Sequence, residues 1–169
     1  MKDKQRLESL KAKLADSNIS SVAETISHLR NEKQFSGAIQ LLCELYDRTD
    51  NHFLMSIISN FLNDMKDNAM KAEVIGEVMK PYRSETLAML VSSCWQSGLD
   101  YSEYSVHFAR LFLRGSYQVA LESYTLLEES AMNVSSALKE EVRDILLSSK
   151  PALKNDRIPL LQDLIKLYS

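Results

Sequence analysis

Three histidines, two cysteines and two pairs of adjacent glutamates are the side chains of this sequence best suited to chemistry. His28, His52 and His107 stand far apart. None forms the His-x-x-x-His spacing that sets two imidazoles on one helix face for a metal ion. They read as partly exposed surface residues. Cys43 and Cys94 have no Cys-x-x-Cys spacing, which argues against a disulfide framework or a sulfur-rich zinc site. A nucleophilic cysteine also needs a base and an electropositive setting, and both thiols lie in apolar helical stretches, so they read as packing residues. Glu128-Glu129 and Glu140-Glu141 are adjacent on helices, where neighbours diverge by about 100° and cannot act as a carboxylate dyad. The sequence contains no glycine-rich phosphate loop and no Gly-x-Ser-x-Gly elbow. No enzyme activity, metal or cofactor is expected.

The elements that carry these residues are helices. Only 4 glycines and 3 prolines occur in 169 residues, too few for the turns of a hairpin-rich β fold. Leu7, Leu10 and Leu14 mark a short basic opening helix that ends at Asp16-Ser17-Asn18. Ser21 with Glu24 predicts a capping box ahead of Val22, Ile26 and Leu29. Phe35 to Tyr46, Phe53 to Leu62, Ala72 to Met79, Leu87 to Trp95 and Phe108 to Leu113 continue the helical spacing. Val119 to Leu127 and Leu138 to Leu146 form the next pair, with Lys150-Pro151 as a stop, and Leu160 to Tyr168 form a last helix. At the centre, Gly98 fits the left-handed position after a helix end, and Asp100 with Glu103 predicts a capping box for the next helix.

The helices repeat. Leu41, Leu42, Leu45 and Tyr46 align with Val74, Ile75, Val78 and Met79 after 33 residues. A further 33 gives His107, Phe108, Leu111 and Phe112, and 34 more gives Glu141, Val142, Ile145 and Leu146. A period of that size marks stacked helical hairpins. A neighbouring column of Cys43, Gly76, Ala109 and Arg143 predicts close helix packing at its three small residues. Another pair of columns lines up Glu44, Glu77, Arg110 and Asp144 beside Gln40, Glu73, Val106 and Glu140. If second helices line the inner curve, these form a mostly acidic ridge. Tyr101, Tyr104 and Tyr117 stand in an aromatic-rich quarter of the chain, and those left exposed would serve as anchors for a partner.

These periods resemble a short α-solenoid of HEAT-like repeats over residues 19–150, and Cys94-Trp95-Gln96-Ser97-Gly98-Leu99-Asp100 resembles a stretch of uncharacterised bacterial HEAT-repeat proteins. Phe35–Ala38–Ile39–Leu42 and Gly115–Tyr117–Ala120–Tyr124 resemble the second helix of tetratricopeptide repeats, but lie 82 residues apart, not a multiple of 34. The resemblance implies an all-α, right-handed α-α superhelix of about four helical hairpins in a single domain. Residues 1–18 and 151–169 would add a helix at each end. It also implies partner binding and supplies no catalytic residue. Some DNA-repair glycosylases share the architecture, which makes a nucleic-acid-binding or repair-enzyme scaffold the alternative.

Charge opposes that alternative. The net charge is −3, yet residues 1–13 carry +3 and residues 150–169 carry +2. The segment 14–149 therefore holds −8, from eleven basic and nineteen acidic side chains. Phosphate backbones need clustered Lys and Arg, so nucleic acid is disfavoured as a partner. No apolar run is long enough to span a membrane, and the first residues lack the apolar core of a secretory signal. The expectation is a non-catalytic protein-interaction module of the cytoplasm, a monomer or weak homo-oligomer. Its unidentified protein partner would offer a basic segment to Glu44, Glu73, Glu77, Arg110, Glu140 and Asp144, with Tyr101, Tyr104 and Tyr117 nearby.

Overall fold

Short polar side chains decide where the helices begin. Asn18 Oδ1 accepts from the backbone N–H groups of Ser20 and Ser21 at 3.0 and 3.2 Å, and Asn51 Oδ1 accepts from Leu54 N–H at 3.1 Å. Ser116 Oγ accepts from Val119 N–H at 3.3 Å. Each satisfies a donor that the first helical turn leaves free. The predicted cap at Ser21 is therefore displaced to Asn18, three residues earlier. The predicted box at Asp100 forms by half. Asp100 accepts from Ser102 N–H at 2.9 Å, whereas Glu103 turns away to Lys71 Nζ at 2.9 Å.

The computed structural model describes residues 2–149 and 154–169, so the predicted stop at Lys150-Pro151 lies outside the described residues. Among them all regular structure is helical, as expected for an all-α chain. The helices are α1 (Lys2–Leu14), α2 (Ile19–Arg30), α3 (Ala38–Arg48), α4 (His52–Asn63) and α5 (Lys71–Val78). They continue as α6 (Ser84–Gln96), α7 (Ser105–Arg114), α8 (Tyr117–Ser130), α9 (Ser136–Ser149) and α10 (Ile158–Leu167). Gly98 adopts φ +70°, the left-handed conformation expected of it at the turn after α6.

Packing sorts the helices into two rows. The even-numbered helices follow one another, α2 on α4, α4 on α6, α6 on α8 and α8 on α10. Of the odd-numbered ones, α1 packs on α3, α3 on α5 and α7 on α9. Each helix also meets its sequence neighbour across the rows, as in α1 with α2 or α7 with α8. An amphipathic helix buries one stripe only, so the apolar stripes of both rows face the seam between them. The resulting core is continuous from Leu10 to Tyr168. Val74, Phe108 and Val142, which the apolar spacing places on the inner stripes of α5, α7 and α9, are all buried.

The register of α5 departs from the alignment by one residue. In α3 the buried set is Leu42, Cys43, Leu45 and Tyr46, and in α5 it is Val74, Ile75, Glu77 and Val78. These match at an interval of 32, not 33, and the next interval, to Phe108 and Ala109 in α7, is 34. One residue turns a helix by about 100°. Three expectations are corrected by that turn. Met79 is exposed, Gly76 faces solvent with no atom within 4 Å of where a Cβ would stand, and Glu77 falls in the core.

Candidate functional site

Glu77 has only 4% of its surface exposed, and its two oxygens are both engaged. Lys80 Nζ donates to Oε1 at 2.7 Å and the Tyr82 hydroxyl donates to Oε2 at 2.6 Å. A buried carboxylate is tolerated when paired and hydrogen-bonded in this way. The Tyr82 hydroxyl is pushed above its usual range, by burial first and then by that bond. Glu73 is half-buried and accepts from Gly37 N–H at 2.9 Å, tying α5 to the turn before α3. Gly37 takes φ +89° there. Glu44 accepts from Gln40 Nε2 at 2.8 Å.

The acidic ridge is thus not a continuous solvated line. Glu44, Glu73 and Glu77 gather around Cys43, whose thiol is buried and pushed far above its usual range, chiefly by desolvation. Arg110, Glu140 and Asp144 are exposed further along, on α7 and α9. Glu77 is corrected from ridge residue to core residue, because the one-residue register of α5 carries it inward.

The tyrosines divide as well. Tyr101 is 1% exposed, with its ring edge-on to Phe108 at 6.4 Å and tilted against Tyr104 at 6.2 Å. Its hydroxyl lies against the Cys94 thiol, and burial raises both groups, the thiol to about 12. Tyr101 is therefore corrected from anchor to core. Tyr104 is half-buried against His107, whereas Tyr117, at the start of α8, is 50% exposed. His28 and His52 are exposed, and His107 is half-buried. Among the described residues no three His, Cys, Asp or Glu side chains converge as a metal site.

A different face holds an ordered polar groove. It runs over α4, α6 and α8 and encloses about 220 Å³. Ser59 and Asn63 of α4, Glu85, Ser92 and Gln96 of α6, and Gln118 and Glu122 of α8 line it, over a floor that includes Met89 and Tyr46. Asn63 Nδ2 donates to Gln96 Oε1 at 3.0 Å, and Gln96 Nε2 donates to Ser92 Oγ at 2.7 Å. Trp95 Nε1 donates to Glu122 Oε2 at 2.9 Å, bridging α6 to α8. Asn63, Gln96, Ser92 and Glu122 are thus held in place before anything binds.

Sequence reasoning missed this face, although a signal was present. Thr25, Ser59, Ser92 and Thr125 recur at intervals of 34, 33 and 33 on α2, α4, α6 and α8, all half-buried. The segments that form α4, α6 and α8 contain no lysine or arginine and four glutamates, Glu85, Glu122, Glu128 and Glu129.

Among the described residues no helix is long and apolar enough to cross a membrane. No known protein family, curated protein or solved structure matches the chain.

Proposed function

We propose that this chain is a non-catalytic protein-binding module of the cytoplasm, its two rows wound as a HEAT-like right-handed superhelix. The observation that carries the reading is the row α4–α6–α8, three successive helices without a lysine or arginine whose groove is lined by hydroxyls, amides and glutamates. Surfaces are ordinarily a mixture of both charges, and one that excludes a single sign suits a partner of that sign. The helix starts Asn18, Asn51, Arg83 and Ser116, spaced by 33, 32 and 33 residues, support the repeat. Buried free thiols at Cys43 and Cys94 are in keeping with a reducing compartment.

The test is site-specific photo-crosslinking in the source cell from Ser92 on one row and Asp144 on the other, read by mass spectrometry. A protein adduct reproducible from at least one position is the expected result. No adduct from either position, together with tight binding of duplex DNA at physiological salt, would replace the reading with a nucleic-acid scaffold.

A further inference from the structure

The groove across α4, α6 and α8 is too small for a cofactor. Small-molecule sites enclose roughly 300–1,000 Å³, and this one encloses about 220 Å³. It suits one or two long side chains of something larger that lies along the row. We infer that it docks a lysine- or arginine-bearing segment of a partner protein, with the cationic side chains received between Glu85 and Glu122. This rests on the binding-module reading above and names its face and the chemistry of its partner.

Charge supplies the first argument. No cation belongs to the three helices, and three of the basic residues that flank them are already engaged. Arg30 pairs with Asp64 at 3.0 Å, and Arg83 lies 3.7 Å from Asp47 and 3.6 Å from Asp50. Lys66 Nζ donates to the Ser97 carbonyl at the end of α6. Among the described residues neither Glu85 nor Glu122 forms an ion pair, so an incoming ammonium or guanidinium meets carboxylates without a cationic partner. Hydrogen-bonding capacity supplies the second. Trp95 engages only Oε2 of Glu122, leaving the other oxygen to accept from a cation, and Ser59 and Ser92 add hydroxyls to the lining of the same groove. The third is apolar. Tyr117 and Leu121, one position before Gln118 and Glu122 on α8, are 50% and 40% exposed and offer contact area beside the polar groove.

Trp95 is the only tryptophan, and its indole is bonded to Glu122, so its emission reports directly on the groove. The probe is a short synthetic peptide of alternating lysine and alanine, with the glutamate–alanine peptide as its control. A saturable change in Trp95 emission is expected with the lysine peptide alone, and backbone amide shifts should map to α4, α6 and α8. Glu85→Gln with Glu122→Gln keeps an acceptor for Trp95 and should weaken binding about tenfold, the ratio that a loss of about 1.4 kcal/mol produces. Glu140→Gln with Asp144→Asn removes the same charge from the odd row and should change binding less than about twofold. Circular-dichroism melting confirms that both variants remain folded.

Equal weakening by the two double variants would reduce the effect to net charge and overturn the proposal. So would shifts confined to α3, α7 and α9. A salt-sensitive dimer in sedimentation, lost in the Glu85→Gln/Glu122→Gln variant, would make the occupant the basic α1 of a second copy and overturn the assignment to another protein. If crosslinks persist from Asp144 while the peptide fails at the groove, this face is wrong and the binding-module reading stands; if both fail, both fall.

Discussion

Gly98 and Gly76 respond differently to an added methyl group, although neither would meet a clash. At Gly98 the nearest atom to an added Cβ is Lys66 Nζ at 4.0 Å, but φ is +70°. Gly98→Ala should cost about 1–2 kcal/mol, the left-handed penalty of an L-residue. Gly76 is itself exposed on α5, with open space where a Cβ would stand, so Gly76→Ala should stabilise by up to about 1 kcal/mol. Urea unfolding of the two variants separates these signs. Burial decides the cysteines. The Cys94 thiol is raised from 9.0 to about 12, and Cys43 is raised too. Neither should react with a thiol reagent at pH 8 until the chain is unfolded, when both should. The folded chain keeps the Cys94 proton to about pH 12 while the unfolded chain releases it near 9.0. Stability from this group is therefore intact below pH 9 and falls as pH rises from there, which denaturant midpoints measured against pH will show.

Among the elements, helix starts and helix register carry the consequences. Asn18→Ala removes the acceptor for two backbone donors of α2 and should cost about 1 kcal/mol, whereas Ser21→Ala, at the expected but unused cap, should stay within about 0.5 kcal/mol. Thermal melts of the pair test where α2 begins. The register of α5 is tested by its glutamates. Glu77→Ala strips Lys80 and Tyr82 of their shared acceptor in a buried place and should cost about 1–3 kcal/mol. Glu44→Ala, losing only a contact to exposed Gln40, should cost less than about 0.5 kcal/mol by the same urea measurement. A uniform 33-residue repeat would make these two substitutions equivalent. A buried arginine shows the same dependence on neighbours. Arg157, 3% exposed, donates from Nη1 to the carbonyls of Phe112 and Leu113 and so caps α7 from the turn before α10.

Across the whole molecule the rows make stability a property of neighbours. A helix inside a row is braced on both sides, and one at its end on one side. Near the N-terminus, α1 is anchored through buried Leu10 and Leu14, with Arg6 stacked 4.0 Å from the Phe35 ring and bonded to Glu32. At the other end, Tyr168 is 1% exposed and donates to the Leu127 carbonyl at 2.9 Å, a tie from beyond α10 back to α8. Native-state hydrogen exchange should find the slowest amides in α4, α6 and α8 and the fastest helical ones in α1. Uniform protection from α1 to α10 would mean that the chain opens only as one unit.

The placement of helices was legible in the sequence. Apolar spacing located every α-helix among the described residues, Gly98 marked the central turn, and the same spacing put Val74, Phe108 and Val142 inside. Those features depend on residues within a turn or two of one another, where spacing and backbone preference act directly. The faces were not legible. A shift of one residue between α3 and α5 moved Glu77 inward, and Tyr101 found its place against Cys94 and Phe108 rather than in solvent. Exposure of a side chain depends on which helices lie beside it, and neighbours that meet across the rows leave no local spacing to read. For the same reason the groove over α4, α6 and α8 came into being only when three stretches, each unremarkable alone, were packed in succession.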